Sequence, residues 1–187
     1  MNDVIHLLKT RRSTPPPMLA APGPDEAQLE TLLTIASRVP DHGKLSPWRF
    51  IVFAGEGRKR AGDIVAQVAR ADRPGMSAEQ IEAERQRMTA APLVVAVIST
   101  AKAHPKIPVS EQVSSASAAC MNLLIAAQAM GFGASWLTNW FAFDRRALSL
   151  LGVNDDETVA GFIHIGSPTG ALEDRPRPAL ADIVTRF

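Results

Sequence analysis

From Val109 to Met130 the chain carries a long run of alanine, serine, methionine and leucine that reads as one helix, and no other stretch limits the fold as tightly. Ala116, Ala118, Ala119, Ala126, Ala127 and Ala129 keep its surface shallow, so another helix can approach closely. A helix apolar over so much of its circumference belongs in the centre of a fold or in a subunit interface. Gly131 follows as the C-cap, where a left-handed backbone is needed.

Other elements arrange themselves around this helix. Val4, Ile5, Leu7 and Leu8 form the apolar side of a first helix within Met1–Pro17, which stops at Arg11-Arg12-Ser13. Pro15-Pro16-Pro17 then imposes an extended segment, and Met18–Pro24 continues as a loop. Asp25, with Gln28 three residues on, caps a helix striped by Leu29, Leu32, Leu33 and Ala36. That helix ends near Arg38, because Pro40 disfavours helical geometry at Val39. Strands are expected at Trp48–Ala54, Leu93–Ile98, Gly133–Thr138 and Thr158–Ile165, and further helices at Gly57–Arg70, Ser77–Met88 and Asp144–Leu151. A charged, mobile stretch is expected around Asp72–Gly75. Few strands, many helices and no regular βαβ alternation make this an α+β chain. No repeat or linker divides it, so residues 1–187 form one domain.

Charged residues are 21% and the net charge is +1, with no basic stripe and few aromatics, which argues against nucleic acid as a partner. The longest apolar runs, Ala90–Ile98 and Leu123–Ala127, are too short to span a bilayer. One cysteine, Cys120, excludes an internal disulfide framework and suits a reducing compartment. The expectation is a soluble, cytoplasmic protein with no membrane partner.

Side chains that could do chemistry unaided are scarce. His6, His42, His104 and His164 are scattered, with no metal-ligand spacing, and Cys120 lies mid-helix as a packed thiol. No phosphate-cradling glycine loop or nucleophile elbow occurs. An enzyme of this composition relies on a bound cofactor. Arg11-Arg12-Ser13 stands out, since adjacent guanidinium forks and a hydroxyl suit a phosphate. The same arginines would also serve as solvated charges complementing a helix C-terminus.

Taken together, these fragments resemble a known family. Arg11-Arg12-Ser13, then Val39-Pro-Asp-His-Gly-Lys-Leu-Ser-Pro-Trp48 leading into Arg49-Phe-Ile-Val-Phe53, is similar to the opening of the nitroreductase-like FMN-dependent flavoproteins. The long helix with Gly131-Phe-Gly133, Ala134-Ser-Trp-Leu-Thr138, Gly161-Phe-Ile-His-Ile-Gly-Ser-Pro168 and the tail Arg175-Pro-Arg177 complete the match in order and spacing. The Pro-Asp-His loop and short chain look most like the compact bacterial members.

The resemblance implies a nitroreductase-like fold, with a mostly antiparallel central sheet flanked by helices and the long helix at a homodimer interface. It implies an FMN site across that interface. Arg11, Arg12 and Ser13 would contact the phosphate and ribityl chain, with Arg175 and Arg177 as a second basic pair. Arg38 and His42 would reach the flavin from the other subunit, and Trp136, Leu137 and Thr138 would lie beside the ring. Trp136 could equally be core. The implied activity is NAD(P)H oxidation by a ping-pong hydride transfer through flavin N5, with nitroaromatics, quinones or similar small electrophiles as acceptors and no catalytic side chain. Alternatives are a flavin-binding or regulatory protein with negligible turnover, or another flavin chemistry on the same fold, such as dehalogenation or flavin destruction. Pro15 departs from the family where a second arginine is common, and Lys44 and Ser46 stand where the wider family has Asn and Gln, so flavin contacts there must differ.

Overall fold

The computed structural model describes residues 3–187; Met1 and Asn2, the start of the expected first helix, lie outside the described residues. The helices are α1 (Asp3–Thr10), α2 (Glu26–Ala36), α3 (Gly55–Asp72), α4 (Ala78–Thr89), α5 (Val109–Ala129), α6 (Arg145–Leu150) and α7 (Leu180–Ile183). The strands are β1 (Leu19–Ala20), β2 (Trp48–Ala54), β3 (Leu93–Ser99), β4 (Gly133–Leu137) and β5 (Thr158–Pro168).

All strand pairings are antiparallel. The order runs β2-β3-β5-β4, and β1 pairs with the C-terminal end of β5 through Leu19↔Pro168 and Ala20↔Ser167. β3 is buried at every residue, as its unbroken apolar run requires. One face of it, through Val94, Ala96 and Ile98, packs with Val65, Met88 and Leu148 of α3, α4 and α6. The other, through Leu93, Val95 and Val97, packs with Leu32 of α2 and with Ala119, Leu123 and Ala127 of α5. The long helix is therefore central in the fold, and its alanines let it lie close on the sheet.

Local signals hold at several ends. Asp25 and Gln28 form the expected reciprocal capping box, and the Asp144 carboxylate accepts from two amides of α6. Ser77 and Gln80 form a second box, a cap that was not among the expectations. Gly131 takes φ +86 after α5, and the Phe132 amide turns back to the Ala127 carbonyl at 2.9 Å.

Three expectations need correcting. Pro16–Met18 close a 3-10 turn, so only Pro15 stays extended, and the following expected loop contains β1 because β5 is long enough to pair with it. α2 ends at Ala36, two residues early, where Ser37 takes over the cap through the Leu33 carbonyl. α3 extends from Gly55 through Asp72, into the stretch expected to be mobile, and Asp72 is held there by Arg146 at 2.6 Å. The apolar side expected on α1 is there, and Val4, Ile5 and Leu8 expose it, directed away from this chain's own core.

His164 on β5 is wholly buried, and neither ring nitrogen meets a hydrogen-bond partner among the described residues. Ser135, its cross-strand neighbour on β4, is likewise buried with an unpartnered hydroxyl. Burial pushes the imidazole down to about 4 from 6.5, so folding requires it neutral. An unfolded chain takes up that proton near pH 6.5. The resulting penalty therefore grows as pH falls below 6.5 and saturates below about 4, at roughly 3 kcal/mol. Urea unfolding at about pH 7 and about pH 4.5 should show that loss in the wild type and a flattened dependence in His164→Leu. An equally steep loss in the variant would assign the acid sensitivity elsewhere.

Candidate functional site

α1 ends with the Arg11 amide bonded to the Leu7 carbonyl, and three residues on the Thr14 amide bonds to Ala134 of β4 at 2.9 Å. This pins Arg11-Arg12-Ser13 between the edge of the sheet and the C-terminal end of α5. Arg11 Nε donates to Gln128 Oε1 at 3.2 Å, and its Nη2 donates to Ser13 Oγ at 3.3 Å. Gln128 Nε2 donates to the Arg12 carbonyl, and Arg12 Nη1 donates to the Glu173 carbonyl. Asp174 lies 3.8 Å from Arg12 and is largely exposed.

The tail brings Arg175 and Arg177 to the same place. Burial first, and then the fields of Arg177, Arg12 and Arg175, lower the Arg11 guanidinium from its ordinary value. Among the described residues, Arg11, Arg175 and Arg177 form no ion pair with a carboxylate. Four like charges with one weakly placed acid repel one another, and a bound dianion removes that penalty. Five of the residues singled out in the sequence thus converge: Arg11, Arg12, Ser13, Arg175 and Arg177.

His42 sits elsewhere. Its Nδ1 lies 2.8 Å from Glu111 Oε2 at the N-terminal end of α5, on a cavity of about 370 Å³ lined also by Pro40, Ser110 and Ser114. Gln128 stands seventeen residues further along that helix, roughly 25 Å at 1.5 Å per residue. Within one chain, His42 and the arginine cluster do not reach the same small ligand. Arg38 is exposed, forms no ion pair among the described residues, and is tethered by its carbonyl to Asn122 Nδ2 at 3.0 Å.

The Asp41–Pro47 loop is tightly constrained. Gly43, Lys44 and Ser46 all take positive φ, at 74°, 56° and 45°. The Asp41 carboxylate offsets that strain by accepting from the Leu45 and Ser46 amides at 3.0 and 2.9 Å. Trp48 donates to Ser115 Oγ at 3.1 Å, and Ser115 donates to the Pro40 carbonyl, so the loop is bolted to α5.

On β4, Trp136 is half-buried and its indole N–H donates to the Ala160 carbonyl at 3.0 Å, which leaves that donor committed to the sheet. Leu137 ends the strand half-buried, and Thr138 follows, exposed. Cys120 is buried, and burial pushes its thiol up to about 12, which removes it as a nucleophile. Gln128 and Glu111 are not singled out in the sequence. A lone amide and a helix-start acid carry no motif, and their partners, Arg11 and His42, lie far away in the chain.

The nitroreductase family model matches residues 8–167. The chain belongs to the nitroreductase family. The protein named "Putative NAD(P)H nitroreductase YdjA" of Escherichia coli (strain K12) is 34% identical over 166 residues, 89% of this chain and 88% of that protein. The nitroreductase-like family protein from Bacillus cereus superposes with a TM-score of 0.84 at 22% identity, covering 100% of this chain and 97% of that one. The FMN and NADPH-dependent nitroreductase NfnB from Sphigopyxis sp. strain HMH gives 0.76 at 17% identity, covering 98% of each chain. At those identities the two structures establish the fold, and this nitroreductase-family chain has it. No helix among its described residues is long and apolar enough to cross a membrane.

Proposed function

We propose that this protein is an FMN-dependent NAD(P)H oxidoreductase acting as a cytoplasmic homodimer, with Arg11, Arg12, Ser13, Arg175 and Arg177 as the phosphate site. The observation that carries the reading is the arginine cluster itself: a phosphomonoester carries about −1.5 to −2 charges near neutral pH, the charge this cluster lacks. Bound FMN would supply the hydride chemistry, taking reducing equivalents from NAD(P)H and passing them to a nitroaromatic, quinone or similar small electrophile in ping-pong order. The protein's part is to bind, orient and set the local field.

The roughly 25 Å along α5 between Glu111, which holds His42, and Gln128 favours two chains at each site. In that arrangement Arg38 and His42 of a second copy approach the ring, where cationic or donor groups favour reduced flavin. The exposed apolar residues Val4, Ile5 and Leu8 of α1 and Val109 and Val113 of α5 offer the surface for that copy. Leu137 and Thr138 border the ring at the end of β4, with Trp136 packed behind them.

Purified protein should be yellow, release FMN on denaturation, and oxidise NAD(P)H in the presence of menadione or a nitroaromatic. Bound FMN without turnover would leave a flavin-binding protein. A colourless chain that cannot be reconstituted with FMN would overturn the reading altogether.

A further inference from the structure

Several arginines elsewhere in this molecule are held in place by acids. Glu157 takes Arg49 at 2.6 and 2.7 Å, buried Glu84 takes Arg73 and Arg87, Asp63 and Glu82 take Arg85, and Asp72 and Asp144 take Arg146. Arg58, held by the Thr89 and Ala91 carbonyls, is an exception, and so is Arg11. It is half-buried beside three other arginines, where an acid would relieve most repulsion, and its long-range partner is the neutral amide of Gln128. The same amide donates to the Arg12 carbonyl, so one side chain orders two successive residues of the site.

We infer that Gln128 is a neutral clamp, positioning Arg11 and Arg12 for a phosphate without cancelling their charge. The inference deepens the FMN reading and rests on it. An amide supplies one directional acceptor to the Arg11 fork and one donor to the backbone, and no net charge. The guanidinium loses freedom before the ligand arrives, while the positive field that attracts a phosphomonoester stays whole. A carboxylate at the same position would order Arg11 equally well and compete with the ligand for it.

The test uses full-length protein stripped of flavin, with Gln128→Glu and Gln128→Leu as variants and inorganic phosphate and FMN as titrants in calorimetry, beside thermal unfolding of each flavin-free chain. Gln128→Glu should weaken both ligands by about 50-fold, as expected for a negative charge within several ångströms of a phosphate, without a matching loss of thermal stability. Gln128→Leu keeps the charge and loses the ordering, so a loss of about fivefold is expected, with a salt dependence like the wild type's. A purely structural glutamine would instead lower stability and affinity in parallel in both variants, and that result would overturn the clamp. Wild-type affinity in Gln128→Glu would do so as well. If Gln128→Glu does not fold, unchanged phosphate affinity in a folded Gln128→Leu refutes the inference on its own. Removal of Arg11 and Arg177 separates the two readings. If that double variant holds FMN normally, the phosphate site itself falls; if it loses FMN while Gln128→Glu keeps it, only the clamp falls.

Discussion

Gly161→Ala is expected to destabilise the fold by roughly 3–5 kcal/mol, the largest effect of a single methyl group anywhere in the sheet. Gly161 lies on β5 at a register irregularity against β3, and the Trp136 indole of β4 crosses directly over it. A Cβ there would overlap Nε1 and Cδ1 of the indole and stand 3.1 Å from Cε2. Moving the ring aside breaks its part-buried hydrogen bond to the Ala160 carbonyl, on top of the overpacking itself. Neighbouring side chains cannot absorb the shift, because Trp136 packs against the same cluster as Ile163 and Ala134. Urea unfolding followed by far-UV circular dichroism measures the loss. Shrinking the ring in Gly161→Ala/Trp136→Leu should recover part of it, since the overlap would be gone. Stability of Gly161→Ala within about 1 kcal/mol of wild type would show that the indole does not press on Gly161.

The second large effect falls on binding. Arg11→Ala with Arg177→Ala is expected to weaken FMN by about 10²- to 10³-fold, two charge-assisted contacts being worth roughly 1.5–3 kcal/mol each before coupling between them. The flavin-free variant should fold normally, because the removed groups repel one another and form no ion pair with an acid among the described residues. Fluorescence titration of FMN against increasing salt gives both quantities: wild-type affinity should fall with ionic strength, and the variant's should fall less. Unchanged FMN affinity would refute the phosphate assignment and leave Arg11 as a helix-end charge.

Gly161 and Arg11 also mark where reading the chain stops being enough. The glycine sits in a strand legible from its apolar run, and nothing within that strand announces the tryptophan 25 positions earlier that makes it necessary. Arg11 and Arg12 were visible as a pair suited to phosphate, and equally as a solvated helix end. The proposed phosphate role is favoured by the arrival of Arg175 and Arg177 from the far end of the chain and of Gln128 from α5.

The amino-acid sequence by itself determined the elements whose causes lie within about four residues: the capping boxes at Asp25 and Ser77, the Gly131 stop, the buried run of β3 and the alanine-rich surface of α5. At the caps and the Gly131 stop the stabilising partner is a near neighbour in the chain, so a short window contains the whole interaction. For β3 and α5 the window contains the apolar pattern, and the partners come from distant elements. Only the tertiary structure decided that β1 pairs with β5, that α1 turns its apolar side outward, that the His42 loop and the arginine cluster lie at opposite ends of α5, and that a neutral glutamine holds the arginines together. Those contacts join residues dozens to more than a hundred positions apart. They depend on how the sheet and α5 bring distant segments together, which no local pattern specifies.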